Sequence, residues 1–341
     1  HISTYIRTNF GNVFSFGEND YGQLGHGDTN IRYVPEKIKF FEDNNLFVVG
    51  VVGTQQHYYM DSYDSYPSVY FICADKNSGS TNGIPNHERR MIYSCGYNGY
   101  GQLGIGNTTS MSTPTRLTFS DQVEQLTVSS GYQAMVVCTV NDTTRSQEDG
   151  NSSLYVWGDN EHGLGDGTTD QRNSPYQVTG SDDLYDAKYI FIYGQDYNNN
   201  NSDTHSLAWM LTSTGKAYYT GRNDNGQAGN GTAGTDVLTW SHVGGSLRFR
   251  EVKCNEHQSQ ALEGVPGTGH HGQTYGAWGT ETSMYLTGYN GGYQVSSSDS
   301  SNRNSFTHYN YATTEYSKNS SGNAVNFPNS RIVWAHLEDT G

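Results

Sequence analysis

Five short, strand-like runs recur along the chain, and each ends on a glycine. NVFSFG, MIYSCG, LYVWG, KAYYTG and SMYLTG close at Gly17, Gly96, Gly158, Gly221 and Gly288, with spacings of 79, 62, 63 and 67 residues. Two positions beyond each anchor stands an asparagine: Asn19, Asn98, Asn160, Asn223 and Asn290. Its short amide bonds nearby backbone and suits the start of a tight turn. A second glycine follows at the fifth position in four units, Gly22, Gly101, Gly163 and Gly226, where the last unit has Tyr293. The register runs on to Pro35, Pro114 and Pro175 in the first three units.

A phosphate-cradling glycine loop occurs once, between a strand and a helix, and carries a lysine. Recurrence at roughly 60 residues, with strand runs and glycine turns but no capped amphipathic helix, instead predicts repeated sheet blades. The expected fold is all-β: a β-propeller of about five four-stranded blades.

The stretches VFSFGENDYGQLGHGD, IYSCGYNGYGQLGIGN and LYVWGDNEHGLGDGTTDQRNSP resemble the repeat of the regulator of chromosome condensation family, and the likeness weakens through units four and five. The resemblance implies a propeller. It implies little about function, because propellers of this family serve as exchange factors, inhibitors, scaffolds and parts of large assemblies. The family commonly has seven blades, so five units mean either a small ring or a span that omits some repeats.

The first unit begins in the middle of the strand order, at HISTYIRTNFGNVFSFGEN, while RIVWAHLEDTG (331–341) reads as a strand of the missing class. Pairing of these terminal strands would close the ring as a single domain, with blades over 330–341 plus 1–45, 46–120, 121–185, 186–245 and 246–329. The same pairing between neighbouring chains would build a filament. The chain starts at His1, without Met or signal peptide, which reads as a mature product or part of something longer.

Composition narrows the partners. A net charge of -15 repels DNA, RNA and anionic lipid, and no basic cluster exceeds Arg89-Arg90. The longest apolar run, LFVVGVVG, is too short to span a bilayer. The 27 tyrosines supply apolar area with a polar tip. Low lysine with abundant Tyr, Asn, Ser and Gly favours an extracellular, surface or virion setting. Cys73, Cys95, Cys138 and Cys254 show no zinc spacing, and no metal or cofactor is expected. Cys73 and Cys95 flank one hairpin and are a candidate disulfide, against the alternative of two buried small residues. Six sequons, Asn107, Asn141, Asn151, Asn200, Asn230 and Asn319, are candidate glycosylation sites, a number that composition alone produces.

Insertions lengthen the connection before the anchor strand in units two, three and five, which predicts one decorated face. A second set supplies aromatics. The candidate binding residues are Tyr63, Tyr66, His270, His271, Tyr275, Trp278, Tyr309 and Tyr311. The histidine cluster lacks a carboxylate or cysteine at metal spacing. Asp182-Asp183, Asp61 with Asp64, and Glu148-Asp149 read as solvated turn acids with no apolar wall to raise a pKa. No nucleophile elbow is present. The expectation is a non-enzymatic scaffold or binding module that contacts protein, includes possible self-assembly into a filament, and presents its loops in an extracellular or virion-surface assembly. Two further readings stay open: exchange on a small GTPase, which the resemblance permits, and a secreted lectin or enzyme inhibitor that takes glycan or protein.

Overall fold

The computed structural model describes residues 3–54, 67–76, 80–81, 84–85, 90–118, 122–129, 133–139, 152–196, 204–255, 257–264, 284–291 and 300–309. Within them the chain is a series of antiparallel sheets, four of them four-stranded, each formed from strands consecutive along the chain apart from one small inserted hairpin. The first unit contributes β1 (Ser3–Arg7), β2 (Val13–Gly17) and β3 (Arg32–Lys37). The second contributes β4 (Leu46–Gly53), β5 (Ser68–Asp75), β8 (Arg90–Gly96) and β9 (Met111–Arg116), with β6 (Ser80–Thr81) and β7 (Ile84–Pro85) as the small hairpin. The third is β10 (Gln122–Val128), β11 (Gln133–Thr139), β12 (Ser152–Gly158) and β13 (Arg172–Gln177). The fourth is β14 (Ala187–Asp196), β15 (Thr204–Thr212), β16 (Ala217–Gly221) and β17 (Val237–Val243). The fifth is β18 (Phe249–Cys254), β19 (Gln258–Glu263), β20 (Met284–Gly288) and β21 (Arg303–Tyr309). These are the blades of a β-propeller. The segment 331–341, expected to complete the first blade beside β1, lies outside the described residues.

Between consecutive blades the facing side chains form four apolar cores. Val13, Ile38 and Phe41 of the first unit meet Val48, Val69 and Phe71 of the second. Tyr70 and Ile92 meet Val123 and Trp157 across the next junction, and Leu154 and Val156 meet Ile192 and Met210 across the third. At the fourth, Trp209 is buried and stacks edge-on to Tyr219 at 5.0 Å, with Phe306 of the fifth blade 5.9 Å away. The inner strands β5, β12 and β15 therefore bury residues on both faces, one toward each neighbour.

The strand pattern alone does not forecast α1 (Lys39–Asp43), a five-residue helix after β3. It exists to place Phe41 in the first junction, 4.8 Å from Phe71. Among the described residues no helix is long and apolar enough to cross a membrane.

Candidate functional site

The five anchor glycines share one conformation, with φ of 109°, 108°, 102°, 108° and 107° at Gly17, Gly96, Gly158, Gly221 and Gly288. This is backbone that L side chains rarely adopt. A Cβ at Gly96 would stand 2.3 Å from the carbonyl oxygen of Pro67, and one at Gly288 would stand 2.2 Å from that of His257. The same carbonyls accept the next residue's N–H, Tyr97 onto Pro67 at 2.9 Å and Tyr289 onto His257 at 2.8 Å. The glycine lets one strand leave the sheet while bonded to its neighbour.

The asparagines then staple the corner. Asn98 Oδ1 accepts the Leu103 N–H at 2.8 Å, and its Nδ2 donates to the Asn107 carbonyl at 2.8 Å and the Thr109 carbonyl at 3.1 Å. Asn19 does the same with the Leu24 N–H and the Asp28 carbonyl, as does Asn223 with Ala228 and Thr232. Asn160 binds the Leu164 N–H and the Thr168 carbonyl. In the fifth unit the Asn290 N–H donates to Asn302 Oδ1. All five asparagines are buried. In the first four units the side-chain amide is spent on the chain's own corner.

A second recurring signal, not singled out from sequence, is the Asx turn that follows. Asp28, Asn107, Asp166 and Asn230 each accept the N–H two residues on through Oδ1. Asn107 and Asn230 are thus exposed sequons on turns; the other four sequons lie outside the described residues.

Beyond each corner, the chain reaches the next blade. Gly27 donates its N–H to the Ser112 carbonyl at 2.9 Å, Gly106 to Asn173 at 2.7 Å, Gly167 to Leu238 at 2.9 Å and Gly231 to Asn304 at 2.6 Å. In every case the acceptor is the second residue of the outer strand, one past the residue paired with the anchor glycine. The equivalent residue in β3 is Tyr33, since Gly17 pairs with Arg32. Tyr33 is 83% exposed and Val34 67%, with Ile31, Ile6 and Phe10 exposed on the same blade. Tyr33 and Val34, with Ile31 beside them, are the candidate interaction site; Ile6 and Phe10 lie toward the hairpin at the other end of the blade. No local sequence signal marks the site; it emerges only from the repeated inter-blade register.

The residues singled out for binding are mostly elsewhere. Tyr63, Tyr66, His270, His271, Tyr275, Trp278 and Tyr311 lie outside the described residues, and Tyr309 is described only as the end of β21, paired with Met284. Asp61, Asp64, Glu148 and Asp149 also lie outside. Asp183 is committed to Lys216 Nζ at 2.8 Å and to the Tyr218 hydroxyl. Burial works to raise its carboxyl pKa, but these two donors hold it below the ordinary carboxylate value. Among the described residues no cluster of three or more His, Cys, Asp and Glu is placed to hold a metal.

The candidate Cys73–Cys95 disulfide is not formed: both thiols are free and buried. In the β5–β8 ladder Cys73 pairs with Met91 and Cys95 with Val69, an offset of four positions. At roughly 3.3 Å per residue that is about 13 Å along the strand, well past the ~7 Å Cα limit for a bridge.

Residues 11–59 and 91–138 match the model of the regulator of chromosome condensation (RCC1) repeat. The chain is 25% identical over 166 residues to the ultraviolet-B receptor UVR8 of Arabidopsis thaliana, covering 48% of this chain and 29% of that protein. It is 25% identical over 244 residues to human E3 ubiquitin-protein ligase HERC2, covering 71% of this chain and 4% of the ligase. Human WBSCR16 superposes with a TM-score of 0.53 at 17% identity, over 90% of this chain and 65% of that one. A chain of the crystal structure of Kap60 bound to yeast RCC1 (Prp20) gives 0.54 at 17% identity, over 91% and 62%. The chain thus spans less than two thirds of each of these proteins. In repeat sequence the chain resembles the RCC1 repeat family, and in blade architecture it shares the fold of these propellers.

Proposed function

We propose that this propeller is a protein-interaction module whose first blade offers its open outer face to a partner protein. One observation carries the reading: Tyr33, 83% exposed, stands at the position whose carbonyl, in the other four blades, accepts the N–H of a preceding glycine corner. Contiguous exposed apolar surface marks interaction sites, and tyrosine is a favoured anchor. The matching seats hold Ser112-Thr113, Asn173-Ser174, Leu238-Thr239 and Asn304-Ser305; only the first blade presents an aromatic there. Unit five has Tyr293 where the other four corners have glycine. A Cβ at Gly22 would already lie 2.4 Å from Ser112 Cα. Yeast RCC1, solved bound to Kap60, supports protein binding on this architecture.

The same proposal has 331–341 adding beside β1, so that the first blade gains a fourth strand while its outer face stays open. A photo-cross-linking amino acid at position 33 tests the reading in cells that express the chain. Cross-links to another polypeptide, including a second copy, are expected. Cross-links confined to residues of the same chain would overturn it.

A further inference from the structure

At the ends of the blades remote from the glycine corners, the first and second blades border an open pocket of about 350 Å³. Arg7 at the end of β1 and Arg90 at the start of β8 both line it, over an apolar floor that includes Phe47 and Ile72, with Asn9 at the rim. The floor is built in by the junction itself. The Val48 N–H donates to the Gly11 carbonyl at 3.1 Å, and Gly11, with φ 73°, leaves room for the Phe47 ring, which a Cβ there would meet at 2.6 Å.

Two guanidinium groups line the pocket, and among the described residues neither is paired with a carboxylate, as is also the case for Arg248. Elsewhere Arg32, Arg172 and Arg222 are each paired with a carboxylate, as a chain of net charge -15 readily allows. Arg7 makes one bond, at 3.3 Å to the carbonyl of neighbouring Thr8. Arg90 has a buried Nε without a hydrogen-bond partner. A buried donor left unmade is costly, and a guanidinium fork suits a carboxylate. The pocket's size falls at the lower end for small-ligand sites, roughly 300–1,000 Å³.

We infer that this pocket is a binding site for an acidic-apolar peptide segment of a partner protein, with carboxylates on Arg7 and Arg90 and an apolar side chain on Phe47 and Ile72. Charge complementarity selects the carboxylates. The floor favours peptide over a bare anion, which would leave it uncovered. The inference shares with the proposed function only the premise that the propeller binds protein; it uses another face and other residues.

Fluorescence anisotropy at low salt tests it with the intact chain and a labelled, terminally blocked hexapeptide of alternating Glu and Leu or Phe. The Glu peptide is expected to bind at least tenfold tighter than its Gln analogue, and Arg7→Gln and Arg90→Gln each to weaken it about tenfold, the scale of a lost charge-assisted bond. Thermal unfolding of the variants reports their folding, and the Gln peptide tests the charge on wild-type protein. Equal affinity for the two peptides, or affinity unchanged in folded Arg7→Gln and Arg90→Gln, would overturn the site. So would binding of pyrophosphate without binding of the Glu peptide. Cross-linking at position 33 reads the other face, so the two proposals fail separately.

Discussion

Gly22 of the first blade lies directly against Ser112 of the second: a Cβ built on the glycine would stand 2.4 Å from Ser112 Cα and 2.5 Å from its Cβ. The contact recurs as Gly101 on Asn173, Gly163 on Leu238 and Gly226 on Asn304. Each of these glycines also holds positive φ, between 70° and 99°. One residue thus turns the corner and seats it on the neighbouring blade. Gly22→Ala combines backbone strain with a steric clash against backbone, and is expected to cost about 2–4 kcal/mol. Gly234→Ala, also at positive φ but with open space around its Cβ, isolates the strain and should cost about 1 kcal/mol. Urea titration of both variants checks the ordering, and equal losses would show that the blade contact contributes nothing.

Asn98 is fully buried and satisfies three backbone groups at once. Asn98→Ala leaves the Leu103 N–H and the Asn107 and Thr109 carbonyls to find other partners, with an expected loss of about 2–4 kcal/mol. Asn98→Asp keeps the acceptor but removes both donors and buries a charge beside two carbonyls, so it should be at least as damaging. The exposed Asn107→Ala loses the bond from the Thr109 N–H and a long one, 3.5 Å, from Asn98 Nδ2, and should cost about 1 kcal/mol. Denaturant midpoints at unchanged slope make the comparison.

Sequence spacing revealed what is local. A corner that requires positive φ leaves a glycine in the text at Gly17 or Gly96, and a buried staple leaves an asparagine two positions on. The all-β blade pattern follows from these alone. What two blades build together leaves no such mark. Arg7 and Arg90 line one pocket only because the β1 hairpin docks on β4, and Tyr33 has meaning only beside Ser112, Asn173, Leu238 and Asn304, whose carbonyls each accept a preceding glycine corner. The choice between a Cys73–Cys95 disulfide and two buried thiols is open in the sequence for the same reason, and the structure shows the second. Proximity across a hairpin is readable from sequence, but the register that sets Cys95 against Val69 is not. The helix around Phe41 is short enough to pass for one more apolar run.

Cys73, Cys95 and Cys254 are buried, and burial pushes all three thiols above their ordinary pKa. The thiolate is the reactive form, so these side chains should resist iodoacetamide in the native protein and label only on unfolding. Peptide mapping after native and denaturing alkylation is the measurement. A cross-linked Cys73–Cys95 peptide, or rapid native labelling of either residue, would contradict the arrangement described above.

His162 and Asp236 join the third blade to the fourth, with Nδ1 and Oδ2 2.8 Å apart. Burial alone would lower the histidine pKa; the hydrogen bond and charge of Asp236, with a smaller contribution from Glu161, outweigh burial and the opposing Arg222, so the net direction is upward. A histidine whose folded pKa lies above its unfolded value binds its proton more tightly in the native state. Its contribution is therefore complete below the ordinary value near 6.5 and disappears as pH rises through the elevated native value. His26 runs the other way, because burial, with Arg32, lowers its pKa, so it favours the fold at higher pH. The whole-protein stability curve mixes the two, and the informative quantity is a difference. His162→Gln should lower stability relative to wild type by about 1 kcal/mol at pH 5.5. The deficit should shrink as pH rises above 6.5, and His162→Gln in an Asp236→Asn background should show no such slope. A deficit that grows with pH would mean that the junction uses the neutral imidazole.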